Sequence, residues 1–157
     1  MTEPFWNLAE VEALARAAHA EQTDKAGRPY AEHLAAVAAG VRDRGGSAEQ
    51  IAAAWLHDSV EDGVLGREWL ADAALDPRVK EMVLALTRRE DEELSAYAGR
   101  ILATPGALLI KEADVAHNAD PERLAVLDPA VATRLTEKYA QVRRLLGLHV
   151  DESPPTE

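Results

Sequence analysis

Apolar residues recur at steps of three and four along most of the chain, and runs that alternate apolar and polar residues are nearly absent. The first such series is Leu8, Val11, Leu14 and Ala18. This spacing is the period of an α-helix with one buried face, whereas a half-buried strand repeats every two residues. The pattern therefore predicts an all-α fold.

Local signals divide this pattern into about seven to eight helices. Asn7 and Ser47 are each followed three residues later by a side chain that completes a capping box, Glu10 and Gln50. Asp-Pro pairs at 76–77 and 128–129 indicate a cap followed by proline at the first helical position. Because the segments between these signals are short, we expect one helical bundle.

The 157 residues are expected to form a single domain over residues 1–150. Residues 151–157 contain two prolines and three acids and are predicted to form a disordered tail. The N-terminus lacks the basic region and apolar run of a signal peptide, and no apolar stretch approaches the ~20 residues of a membrane span. With no cysteine, the chain suits a reducing compartment, so we expect a cytoplasmic protein.

The formal net charge is −11, which repels nucleic acid polymers and anionic membranes. The ordinary role of such acidity is to keep a protein soluble. A small anionic substrate remains compatible with it, because a local basic pocket or a bound cation overrides the global field. The absence of cysteine also excludes disulfides, thiolate zinc sites and cysteine nucleophiles.

The segment Leu-His-Asp-Ser-Val-Glu-Asp concentrates four ionisable side chains, His57, Asp58, Glu61 and Asp62. On a continuing helix, residues four apart share a face, so His57 would lie over Glu61 and Asp58 over Asp62. Three carboxylates near a core are costly, because like charges repel and each must be desolvated. A divalent cation would compensate them. The alternative is a solvated acidic turn at a helix end.

Two other segments contain candidate ligands. His33 follows a Pro-Tyr pair in the first turns of the second predicted helix, and Asp114 lies on a later helix. Lys111 and Asn118 lie about one turn from Asp114, and both side chains are able to meet phosphate oxygens or water. Taken singly, His33 is explained as a core histidine and Asp114 as an exposed charge.

Together, the segments PYxEH, LHDxxED and KxADxxHN, in this order and at these separations, resemble the HD superfamily. Within it, the chain is similar to the hydrolase domain of RelA/SpoT-type proteins and to its small stand-alone relatives. The resemblance extends from about Ala18 to Leu146 and includes the run His-Ala-Glu-Gln that starts at His19. A bare His-Asp pair is a weak motif, but the ordered set of three segments is specific. The resemblance implies an HD-domain fold and a metal-dependent phosphohydrolase.

The resemblance also implies the roles of individual residues. One divalent metal ion, typically manganese, would be held by His33, His57, Asp58 and Asp114. Fe, Zn, Co, Ni and Mg stay open, because imidazole and carboxylate ligands suit several ions. Glu61 and Asp62 would orient the attacking water and handle protons.

Relatives of this type remove pyrophosphate from the 3′ position of guanosine alarmones, so the resemblance implies a small anionic nucleotide as substrate. The residues predicted to bind it are Lys25, Arg28, Lys111, Asn118, Arg134 and Tyr139. Asp24 is a departure, since alarmone hydrolases tend to carry there an arginine that contacts the substrate. An acid at this position repels phosphate. This departure counts against alarmone specificity, whereas metal binding and hydrolysis are unaffected by it.

Three hypotheses remain open from the sequence. The first is a nucleotide phosphohydrolase, most specifically a (p)ppGpp-like 3′-pyrophosphohydrolase, which would release pyrophosphate. The second is a phosphatase for another nucleotide or phosphate monoester, which would release orthophosphate. The third is a non-catalytic metal- or nucleotide-binding module. The sequence also leaves open the roles of Arg88 and Arg89 and the oligomeric state.

Overall fold

The computed structural model describes residues 5–148, and over that range it contains nine α-helices and one isolated β-bridge, between Thr23 and Pro29. The helices are α1 (Leu8–Ala18), α2 (Tyr30–Asp43), α3 (Ala48–Leu56), α4 (Arg67–Asp72), α5 (Pro77–Ala85), α6 (Leu94–Ala103), α7 (Ala107–Asn118), α8 (Pro121–Ala125) and α9 (Pro129–Leu146). The predicted all-α class is confirmed. None of these nine helices has the length and apolar composition needed to span a membrane. The tail predicted at residues 151–157 lies outside the described range.

The starts of α1, α3 and α5 follow the capping signals of the sequence. The Asn7 side chain accepts the Glu10 N–H (2.9 Å), and the Glu10 carboxylate accepts the Asn7 N–H (3.0 Å). Ser47 and Gln50 repeat this arrangement at the start of α3. Asp76 accepts a backbone N–H at the start of α5, ahead of a proline at the first helical position.

The prediction that α3 continues through the HDxxED segment is wrong. The helix ends at Leu56, and consecutive turns follow it. The Leu56 carbonyl accepts the Ser59 hydroxyl (2.6 Å) and the Ser59 N–H (2.9 Å), so it does not make the next helical bond. The Asp62 N–H still bonds to the Asp58 carbonyl (2.9 Å), so those two residues keep the spacing of one helical turn.

The described range contains nine helices, one more than the upper end of the predicted seven to eight. The extra helix is α8, which is only five residues long. It begins as α5 and α9 do, because Asp120 precedes Pro121 and its side chain accepts the Glu122 N–H (3.0 Å). The Asp-Pro signal was therefore present in the sequence at this third position.

Helix α3 lies at the centre of the bundle. All residues from Ile51 to Leu56 are buried, which is the pattern of a helix covered on every side. Helices α1, α2, α5 and α7 pack around it. The C-terminal end of α3 therefore meets His33 of α2 and Asp114 of α7.

The start of α7 depends on a glycine. Gly106 has φ +87°, in the left-handed region that favours glycine. A Cβ atom there would lie 2.7 Å from the Met82 sulfur. The Gln50 amide donates to the Gly106 carbonyl (3.0 Å) and so fastens the beginning of α7 to the first turn of α3.

Glu92 fastens the loop between α5 and α6. Its carboxylate accepts hydrogen bonds from the Arg100 guanidinium and from the Arg89 N–H (3.1 Å). These contacts, Arg100 first, lower the pKa of Glu92 to about 2. The same loop also presents the Arg88 N–H to Glu61 (2.6 Å). The hydrogen bonds of Glu92 therefore support one wall of the site.

Glu92→Gln is expected to lower the free energy of unfolding at pH 7. The pKa of Glu92 is lower in the folded chain than its ordinary 4.5, so its contribution is present above pH 4.5 and is lost as the pH falls towards about 2. Urea denaturation at several pH values should show that the difference in free energy of unfolding between variant and wild type becomes smaller below pH 4.5. Glu90→Gln, at an exposed neighbour, should show no gap. A gap that does not change with pH would contradict the ion pair.

Candidate metal centre

Four side chains from α2, α7 and the C-terminal end of α3 bring their donor atoms together. One atom each of His33, His57, Asp58 and Asp114 lies within 4.8 Å of the others. Oδ1 of Asp114 lies 2.9 Å from His33 Nε2 and 3.2 Å from His57 Nε2. His57 Nε2 also lies 3.1 Å from Asp58 Oδ2. The four predicted ligands therefore converge on one point.

The spacing of these atoms suits a shared cation. Nitrogen and oxygen ligands lie about 2.1 Å from most divalent ions, so two ligands at a right angle are about 3 Å apart. Of the four histidine–carboxylate pairs, three lie at 2.9–3.2 Å and one, His33 to Asp58, at 3.9 Å. Two imidazoles and two carboxylates are also a common ligand set for divalent transition ions. The residues present therefore fit one divalent metal ion.

His57 shows why a positive charge is favoured here. Its Nδ1 lies 2.6 Å from the Ala54 carbonyl and therefore donates to it. In neutral His57 the Nε2 lone pair then faces carboxylate oxygens of Asp58 and Asp114, which is repulsive unless a positive charge lies between them. Burial alone would lower the pKa of His57, but the two carboxylates raise it well above its usual value. The site thus selects a cation, either a proton or a metal ion.

His33 is oriented by a second histidine outside the four-residue cluster. Its Nδ1 lies 2.7 Å from Nδ1 of His117, and the two rings stack with centroids 4.9 Å apart. Burial lowers the pKa of His117 to about 4, and the positive charge of Arg123 contributes to the shift. His117 is therefore neutral at pH 7 and accepts the Nδ1 proton of His33. This tautomer leaves the His33 Nε2 lone pair for the cluster.

Asp114 has the largest number of partners. Besides the two histidines, Oδ1 accepts the Asn118 amide (3.2 Å), and Oδ2 pairs with Lys111 Nζ (3.1 Å). Burial alone would raise the pKa of Asp114, but Lys111 and the two histidines hold it well below its usual value. Asp114 is therefore ionised and fixed in orientation.

Asp58 is held in a similar way. Its Oδ2 accepts the Tyr30 hydroxyl at 2.5 Å. Burial would raise the pKa of Asp58, and the His57 charge and the Tyr30 hydrogen bond lower it. Both carboxylates of the cluster are thus in the anionic form that binds a metal.

A cavity of about 780 Å³ adjoins the cluster, a size typical of sites for small-molecule ligands. The predicted substrate-binding residues that line it are Lys25, Arg28, Lys111, Asn118 and Tyr139. Arg134 is exposed on α9 and does not line this cavity. The Arg28 guanidinium is paired with Glu32 (2.8 Å).

Glu61 and Asp62 line the same cavity, and one oxygen of each is anchored. Glu61 Oε1 accepts the Arg88 N–H (2.6 Å), and Asp62 Oδ2 accepts the Gln22 amide (2.9 Å). Both side chains are exposed within the cavity, yet partial desolvation raises the pKa of each against the effect of these hydrogen bonds. A carboxylate with a raised pKa is a stronger base.

Asp24 does not present a bare negative charge to the cavity. Its side chain is 7% exposed, and Oδ1 accepts the N–H groups of Ala26 and Arg28 (both 2.9 Å). Oδ2 lies 3.3 Å from the guanidinium of Arg123, which lines the same cavity. Burial would raise the pKa of Asp24, but these partners lower it. The acid is thus paired with a cation across the cavity wall.

Several residues of the site had no role assigned from the sequence. Tyr30 stands in the PYxEH segment, but its contact with Asp58 follows only from the packing of α2 against α3. Arg123 is 99 residues from its partner Asp24, and no local pattern connects them. Arg88 contributes a backbone N–H, which is independent of its side chain. Arg89 does not line the cavity beside the metal cluster.

Comparisons with known proteins give one family. The model of the HD domain family matches residues 12–100, more than half of the chain. A probable guanosine-3′,5′-bis(diphosphate) 3′-pyrophosphohydrolase from Synechocystis is 54% identical over 44 residues, which are 28% of this chain and 6% of that protein. A guanosine-3′,5′-bis(diphosphate) 3′-pyrophosphohydrolase from Vibrio cholerae is 31% identical over 95% of this chain and 23% of its own length.

This chain therefore spans less than a quarter of either relative. The matched residues of the family model include His33, His57 and Asp58, and Asp114 lies beyond them. The all-α bundle, the His-Asp pair at its centre and the match over more than half of the sequence agree with one another. The chain belongs to the HD domain family.

Proposed function

We propose that this chain is a metal-dependent phosphohydrolase of nucleotides, most specifically a 3′-pyrophosphohydrolase of guanosine tetraphosphate and its pentaphosphate analogue. The observation that carries the proposal is the convergence of four ligand atoms beside a cavity that also contains two carboxylates. A structural bundle would not need this grouping of acids. The names of the two relatives support the choice of substrate.

In this proposal His33, His57, Asp58 and Asp114 hold one divalent ion, for which manganese is our first choice. When bound, the ion polarises a phosphoryl oxygen and lowers the pKa of a water molecule. Glu61 and Asp62 orient the attacking water and accept its proton, which their raised pKa values favour.

Cations around the cavity would bind the phosphate groups of the substrate. Lys25 and Lys138 line the cavity, and neither side chain makes an ion pair or hydrogen bond within residues 5–148. Lys111 is bound to Asp114, which raises its pKa, so its first role is to fix that ligand. The pairing of Asp24 with Arg123 supports a phosphate substrate, since it neutralises the acid that would repel one.

The test is a product assay with manganese-loaded protein. The substrates are guanosine tetraphosphate, a nucleoside triphosphate and a nucleoside monophosphate, and released pyrophosphate and orthophosphate are measured separately. We expect pyrophosphate from the tetraphosphate, and no product with Asp58→Ala. Titration with Mn, Fe, Zn, Co, Ni and Mg would identify the ion that supports turnover.

Other results would decide between the remaining hypotheses. Release of orthophosphate from a monophosphate, without pyrophosphate from the tetraphosphate, would support a hydrolytic site but exclude the alarmone as its substrate. Metal binding without any product would favour a binding module. A cytoplasmic location stays a prediction, which cell fractionation would test.

A further inference from the structure

Asp62 is connected to a buried histidine through one glutamine side chain. His19 Nδ1 lies 2.7 Å from Gln22 Oε1, and Gln22 Nε2 lies 2.9 Å from Asp62 Oδ2. Neither His19 nor Gln22 belongs to the four-residue cluster of ligand atoms. The two hydrogen bonds thus form a chain from His19 to Asp62, which lines the cavity.

The direction of the two hydrogen bonds is fixed by chemistry. The amide of Gln22 donates only through Nε2, and an ionised Asp62 only accepts. The oxygen of Gln22 therefore accepts, and His19 must donate from Nδ1. His19 is 1% exposed, and its Nε2 has no hydrogen-bond partner, which suits the neutral tautomer with the proton on Nδ1. The hydrogen bond from His19 therefore fixes the orientation of the Gln22 amide.

The segment that carries Gln22 is fixed to the start of α2. The Gln22 carbonyl accepts the Tyr30 N–H (2.9 Å), and the bridge between Thr23 and Pro29 follows it directly. The His19 ring stacks on the Tyr30 ring, with centroids 5.4 Å apart and planes at 24°. Gln22 is therefore held at both its backbone and its side chain.

The result for Asp62 is that its two oxygens differ. Oδ2 is occupied by Gln22, whereas Oδ1 makes no hydrogen bond within residues 5–148. A carboxylate with one oxygen held cannot rotate freely, so the other oxygen keeps one direction. A base held in this way stays mostly in the orientation in which it can accept the proton.

We propose that Gln22, oriented by His19, is a positioning residue for Asp62, holding Oδ2 so that Oδ1 accepts the proton of the attacking water. The inference deepens the proposed function and rests on it. Neither Gln22 nor His19 forms a side-chain hydrogen bond to a proposed metal ligand. In this proposal neither of them contacts the substrate. Their effect should therefore appear in the rate of the chemical step and leave metal binding unchanged.

The first variant is Gln22→Met, which keeps the length of the side chain and removes both hydrogen bonds. We expect kcat to fall about 10- to 100-fold, the range for losing a hydrogen bond to a charged group, with KM changed less than about threefold. The manganese affinity, measured by calorimetry on the folded variant, should stay close to that of the wild type, whereas the melting temperature should fall because the buried His19 N–H loses its acceptor. Glu21→Gln, at an exposed position in the same segment, is the matched control.

Gln22→Glu gives an independent test that keeps the shape of the side chain. Its carboxylate still accepts from His19 but offers no donor to Asp62, so kcat should fall at least as far as in Gln22→Met. His19→Asn can donate from the position of Nδ1, and we expect it to retain activity that His19→Leu loses. This rescue would not be seen if His19 only filled space.

The failure of this inference is distinct from failure of the proposed function. A wild-type protein without turnover would overturn the function itself. An active wild type with unchanged kcat in either Gln22 variant would overturn the positioning role. A parallel fall of kcat and manganese affinity would also overturn it, because the segment would then support the metal cluster and not Asp62.

Discussion

Asp114→Asn is expected to abolish the binding of a divalent metal and to lower kcat/KM by about 1,000-fold. A bound ion contributes several kcal/mol of charge stabilisation in phosphoryl transfer, and each 1.36 kcal/mol is a factor of ten. Among the four candidate ligands Asp114 is central, because its Oδ1 lies within 3.2 Å of both His33 and His57. The asparagine has the same shape but lacks the charge.

The same substitution is expected to destabilise the fold. The amide nitrogen or oxygen that replaces Oδ2 would face Lys111, which is 17% exposed and would lose its counter-charge. Breaking a fully buried ion pair costs about 3–5 kcal/mol, and the cost here should be smaller because Lys111 keeps some solvent. Circular dichroism, recorded well below the melting temperature of the variant, would show that it is still folded when its metal affinity is measured.

Calorimetry with manganese measures the metal affinity, and thermal melts with and without manganese measure the stabilisation by the metal. At a metal concentration of about 100 times Kd, the wild type should gain about 2.7 kcal/mol, which is roughly 5–10 °C for a domain of this size. The folded Asp114→Asn variant should gain nothing. Glu112→Gln, which neutralises a more exposed carboxylate on the same helix, should behave as the wild type. Wild-type metal affinity in Asp114→Asn would show that these four residues do not form the site.

Most of the helices could be predicted from the sequence, because the spacing of apolar residues and the caps are local signals. The first helix was delimited by the spacing of its apolar residues and by the Asn7 cap, and its start at Leu8 is the one observed. The failure at the end of α3 also has a local cause, the hydrogen bonds of Ser59 to Leu56. A period of 3.6 residues is compatible with both a helix and a series of turns over so short a segment.

The site was predicted less completely, because motifs name residues and not their partners. His33, His57, Asp58 and Asp114 were identified from three segments, and the fold brings them within 4.8 Å of one another. The pairing of Asp24 with Arg123 depends on α8, a helix that was not predicted. Contacts of this kind are set by packing across the chain, so single-sequence patterns contain little information about them.

The arrangement of charge explains why the two acids beside the cluster differ from the two within it. Asp58 and Asp114 face His57 and have lowered pKa values, which suits ligands that stay ionised. Glu61 and Asp62 lie at the cavity wall and have raised pKa values. Opposite shifts in neighbouring carboxylates are the pattern of groups with separate roles, and they support assigning metal binding to one pair and proton transfer to the other.

Glu61→Gln and Asp62→Asn should therefore separate catalysis from metal binding. We expect each to lower kcat by about 100- to 10,000-fold, the usual contribution of a general base, with manganese affinity within about threefold of the wild type. Both substitutions keep an oxygen that accepts the existing hydrogen bond, from the Arg88 N–H in one case and from Gln22 in the other. The melting temperature should therefore change little.

The comparison between the two variants decides which acid is the base. Glu68→Gln, an exposed acid on α4 away from the cavity, is the control for loss of charge and should keep full activity. If Asp62 accepts the proton, Asp62→Asn should lose more activity than Glu61→Gln, and Gln22→Met should have little further effect in the Asp62→Asn background. Additive losses would instead mean that Gln22 acts separately from Asp62. Full activity in both single variants would show that neither carboxylate takes part in proton transfer.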